Sequence, residues 1–108
     1  MITNNANSYK ILIIIHNLAC IYANTGKIEE AIALFHQSLE IEESIGDVQT
    51  QTKAMTLSWL GYIAKQQGDF DTALEYLQQS LEILQRIQSP DAETMRRIIN
   101  DVQQMANS

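Results

Sequence analysis

Apolar residues recur along this chain at helical spacing, and they do so in two copies. Ile28, Ala31, Ile32, Phe35 and Leu39 fall three or four positions apart, and so do Phe70, Ala73, Leu74, Leu77 and Leu81. That period puts each set on one face of an α-helix. Each stripe follows a short polar break, "NTGK" or "QQGD", and each break follows an earlier apolar stripe of the same period. Gly26 and Gly68 in those breaks can take the left-handed conformation that ends a helix, because they carry no Cβ. Asp69, and the pair Glu29 and Glu30, then stand where the positive end of the second helix favours a carboxylate. Each copy predicts a helical hairpin.

One translation relates the copies. The pentapeptide "QSLEI" occurs at 37–41 and again 42 positions later, at 79–83. On that register Gly26 matches Gly68, Ala31 matches Ala73, Ser38 matches Ser80 and Ile45 matches Ile87. Upstream, Leu18 pairs with Leu60, Ala19 with Gly61 and Ile21 with Ile63, so the agreement falls on the apolar face and marks these positions for burial. A fifth helix follows from "SPDAE": Ser89 as N-cap, Pro90 in the first turn, Asp91 and Glu93 near the positive end. Ile99 and Val102 continue the apolar positions of Ile15 and Leu57, and of Leu18 and Leu60. Gln103, however, occupies the tight slot of Ala19 and Gly61, which suits a terminal cap. The predicted organisation is a single all-α domain over residues 1–108, with repeats at about 9–46 and 50–88 and a cap at about 90–106.

Composition narrows the function. One proline and four glycines among 108 residues leave few turns for a β-rich fold. A formal charge of −6 argues against nucleic-acid binding and against attraction to anionic lipid. A lone cysteine, Cys20, forms no internal disulfide and fits a reducing, cytoplasmic setting. The run "ILIII" at 11–15 is interrupted by His16 and Asn17, far short of the roughly 20 apolar residues that span a bilayer. "NLAC" has Asn17 where a lipoprotein cleavage box has leucine, so no targeting segment is expected.

Leu18, Ala19, Tyr22, Ala31, Phe35 and Ser38 in the first copy, with Leu60, Gly61, Ala73, Leu77 and Ser80 in the second, give the sequence its resemblance to tetratricopeptide repeat proteins. The resemblance covers roughly residues 9–106, and it implies a right-handed α-solenoid of two repeats plus a capping helix. The family's usual repeat is about 34 residues, and the 42-residue spacing resembles the longer variants of kinesin light chains and bacterial signalling arrays. In the family, the first helix of each repeat lines a concave groove that holds a partner's peptide or helix. Mapped here, that groove comprises Ile13, His16, Asn17, Cys20 and Asn24, then Met55, Ser58, Trp59, Tyr62, Lys65 and Gln66. On the fifth helix it continues with Arg97, Asn100, Asp101 and Gln104. Helical geometry agrees, since Met55, Trp59, Tyr62 and Gln66 share a face roughly opposite Leu57, Gly61 and Ala64. Trp59 and Tyr62 stand out, as aromatics with a polar handle carry much interface energy, and the core slots are filled without Trp59, which favours groove exposure over packing between helices.

Other chemistry finds little footing. The family's lysine and asparagine clamp for chaperone tails is replaced by His16 and Cys20, with only Arg97 at a basic clamp position. His16 and Cys20 have a two-ligand metal spacing, but His36 lies on another helix, so no metal site, cofactor or enzyme activity is expected. Glu29, Glu30, Glu40, Glu42, Glu43 and Asp47 read as a solvated outer face. The expected role is a non-catalytic scaffold for a protein or peptide partner. The alternative is self-association: the first helix is apolar on nearly every side, pointing to a homodimer or to stacking, or to a piece of a longer array.

Overall fold

A computed structural model describes residues 2–46 and 50–108, and these form five α-helices. They are α1 (Ile2–Asn24), α2 (Ile28–Ile45), α3 (Gln51–Gln66), α4 (Phe70–Arg86) and α5 (Asp91–Ala106). Two compact units result, one holding α1 and α2, the other α3, α4 and α5.

In the first unit α1 packs against α2. The break between them is built as the sequence requires: Gly26 takes φ +85°, and Lys27 N–H donates to the Tyr22 carbonyl at 2.8 Å. Leu12, His16 and Ala19 form the buried stripe of α1, and Ala31, Phe35 and Ser38 that of α2. α1 begins earlier than the predicted repeat boundary, because nothing from position 2 to 9 is a proline or glycine that would stop it.

In the second unit α3 packs against α4, and α4 against α5. Gly68 takes φ +82° at the first break, and the Asp69 carboxylate caps α4 by accepting from Thr72 N–H at 3.3 Å. Lys27 holds the matching position before α2 and supplies no side-chain cap. The α3–α4 contact is close because Gly61 has no side chain: a Cβ there would sit 2.7 Å from Leu77 Cδ2 and 3.2 Å from the Ala73 carbonyl oxygen. Ser80 Oγ donates to the Ala54 carbonyl at 2.8 Å and lies 2.8 Å from Ser58 Oγ, a polar tie across the same interface. Ser89 Oγ accepts from Asp91 N–H, Pro90 adopts φ −63°, and α5 buries Ala92, Met95, Ile99 and Val102.

Three expectations from periodicity need correction. Leu18 and Ile21 were placed on the buried face with Leu60 and Ile63, yet they are 38% and 56% exposed. No described helix precedes α1 to cover them, whereas α5 lays the corresponding side of its stripe on α4. Glu42 is buried rather than solvated, because it occupies the slot that Leu84 fills one repeat later. Glu29, Glu30, Glu40 and Glu43 are exposed, and Asp47 lies outside the described residues.

Candidate functional site

α3 divides sharply into two faces. Ala54, Leu57, Leu60, Gly61 and Ala64 are buried, while Met55 and Tyr62 are 44% and 49% exposed. Large apolar side chains left at the surface in a group, with polar neighbours, mark a contact surface rather than a core. Trp59 lies between them, half-buried, with its ring edge-to-face against Tyr62 at 6.2 Å between centroids. Lys65 sits over the other side of this cluster, its Nζ 5.0 Å from the centre of the Tyr62 ring. Two aromatic rings and an ammonium are thus held together on one helix face.

Toward the start of α3 this face opens into a cleft shared with α5, lined by Met55, Ser58, Thr94 and Met95. Gln51 Nε2 donates to the Asp91 carboxylate at 2.8 Å and ties the two helices at its mouth. Thr94 and Gln51 carry no signal in the sequence, and Asp91 reads there only as a helix-start residue; their part depends on where α5 lies, which spacing does not give. Arg97, Asn100, Asp101 and Gln104 are exposed on α5, as is Gln66 at the end of α3.

On α1, Ile13, Asn17 and Asn24 are exposed and Cys20 is half-buried. His16 departs from the surface position expected of it: only 7% exposed, it meets the Phe35 ring edge-on at 5.9 Å. Cys20 Sγ lies 3.6 Å from its Nε2, a contact within one helix. Among the described residues no group of three or more potential ligands could hold a metal ion.

Burial holds the His16 imidazole below its ordinary pKa, because desolvation penalises the imidazolium. The unfolded chain therefore takes up a proton near pH 6.5 that the folded chain still refuses. Stability from this group is complete above that pH and declines as pH falls from there toward the lower folded value. We expect thermal melts to drop as pH falls below about 6.5, and His16→Gln to flatten that decline. An unchanged slope in the variant would show that His16 contributes nothing.

Charge adds a signal that the periodicity hides. α1 carries Lys10 alone, and α3 carries Lys53 and Lys65; neither has an acid. α2 carries five glutamates without a lysine or arginine, and α4 has three acids against Arg86. The first helix of each hairpin is thus mildly basic in an acidic chain.

The model of the tetratricopeptide repeat matches residues 10–86, and again residues 52–101. The chain belongs to the tetratricopeptide repeat family. Neither the curated proteins nor the solved structures gave a match. Tetratricopeptide repeats are in general protein–protein interaction modules. Among the described residues no helix is long and apolar enough to cross a membrane.

Proposed function

We propose that this chain is a non-catalytic scaffold that binds a peptide or helix of a protein partner on the exposed face of α3. The observation that carries this reading is the cluster of Met55, Trp59, Tyr62 and Lys65 opposite a closed core. Such a face offers apolar contact area that is already ordered, so little side-chain entropy is lost on binding. Lys65 beside the rings favours a segment in which an apolar side chain neighbours a carboxylate, and Arg97 and Asp101 are exposed on α5. Ser58, Gln66 and Asn100 add hydrogen-bonding groups, and Ile13, Asn17, Cys20 and Asn24 form the corresponding stripe of α1. The 42-residue spacing supports a place among the longer-repeat variants, such as kinesin light chains and bacterial signalling arrays. The lone thiol supports a cytoplasmic setting.

Affinity capture from a lysate of the source organism tests the reading, comparing the wild type with Tyr62→Ala and Trp59→Ala. Tyr62 is the cleaner probe, since half its surface is already in water. A hot-spot loss of about 2 kcal/mol, or roughly 30-fold, is expected for each, with helical circular dichroism preserved. Equal capture by all three proteins would remove the α3 face from consideration.

A further inference from the structure

The apolar side of α1 is a second surface, independent of α3. α5 shows what such a side is built for: it buries Met95, Ile99 and Val102 on α4. The residues 84 positions earlier are Ile11, Ile15 and Leu18, whereas Ile14 and Ile21 match Ile98 and Met105, which stay exposed on α5. Ile11 and Ile14 are 49% and 65% exposed, and Leu18 and Ile21 continue their line. These four follow one another at spacings of three, four and three, the pattern of a seam between two helices.

We infer that this seam pairs with the same seam of a second copy, antiparallel, about a twofold axis at position 16. The stripe is symmetric about that point. Ile11 then meets the other copy's Ile21, and Ile14 meets its Leu18, so each contact occurs twice, as a twofold interface requires. Charge permits the pairing. α1 has no acidic residue, so two chains of charge −6 approach there with little repulsion from the facing helices. The four side chains expose roughly 400 Å² per copy, or about 800 Å² in the pair before flanking residues are counted. That is below the standard size of specific interfaces, so the dimer is weak and reversible.

Sedimentation of the full chain from low micromolar to about 0.2 mM should show a monomer giving way to a dimer. Ile14→Glu/Ile21→Glu, placed on exposed positions, should stay monomeric throughout with an unchanged melt, while Tyr62→Ala should dimerise like the wild type. Geometry is read separately by oxidative cross-linking on a Cys20→Ser background. Ile11→Cys and Ile21→Cys should each fail to cross-link alone and should cross-link when mixed. A wild type that remains monomeric at about 0.2 mM overturns the inference, and so leaves the face to a different protein or to a preceding helix. So does a dimer that persists in Ile14→Glu/Ile21→Glu, a mass beyond the dimer, or efficient cross-linking of either cysteine variant alone.

Discussion

Phe35→Ala is expected to cost about 3–5 kcal/mol, enough to melt the α1–α2 hairpin well below the wild type. Phe35 is fully buried and is the largest such side chain in the molecule's described core. Removing its ring deletes apolar area from the interior and leaves a cavity where α1 packs on α2. It also strips the edge-on partner from His16. The variant therefore has a second signature: water reaches the imidazole, and its pKa rises toward the ordinary value. Calorimetry measures the first effect, and an NMR titration of His16 the second. A loss below about 1 kcal/mol with the His16 titration unmoved would mean that Phe35 does not organise this hairpin.

Gly61→Val should be nearly as damaging, for the opposite reason. A Cβ at Gly61 would approach Leu77 Cγ to 2.8 Å as well as its Cδ2, and Leu77 is itself buried. The branch of valine brings two further methyl groups into the same space. Such overpacking forces the helices apart at a typical cost of about 1–3 kcal/mol, and parting them lengthens the Ser80 bond to the Ala54 carbonyl. Glycine-to-alanine at an open helical site gains up to about 1 kcal/mol in propensity, so Gly61→Ala isolates the packing term. Chemical denaturation of both variants should show Gly61→Val the less stable by more than 1 kcal/mol. Equal stability would show that α3 and α4 can part without penalty.

Much of this was legible in the residues. The stripes of α2 and α4 at spacing three and four, the glycines at 26 and 68, and the "SPDAE" start each have a local physical cause, and the structure has them there, with the N-cap of α5 at Pro90 rather than Ser89. The opposition of Met55 and Tyr62 to Leu57, Gly61 and Ala64 was equally readable, since helical rotation alone separates those faces. Charge partition between first and second helices was present in the sequence but carries no periodicity, and so it escaped a reading based on stripes.

Burial of particular positions was another matter. Leu18 and Leu60 are the same residue at the same point of the repeat, yet one is exposed and the other closed. His16 stands where Ser58 stands, but goes inward against Phe35 while Ser58 lines an open cleft with α5. Glu42 and Leu84 share a slot and both are buried, although only leucine announces it. The sequence alone determined that there are two helical hairpins and a cap, because turns, caps and amphipathic faces depend on residues near one another in the chain. The tertiary structure alone decided which apolar residues remain in water, because that depends on whether another helix arrives to cover them.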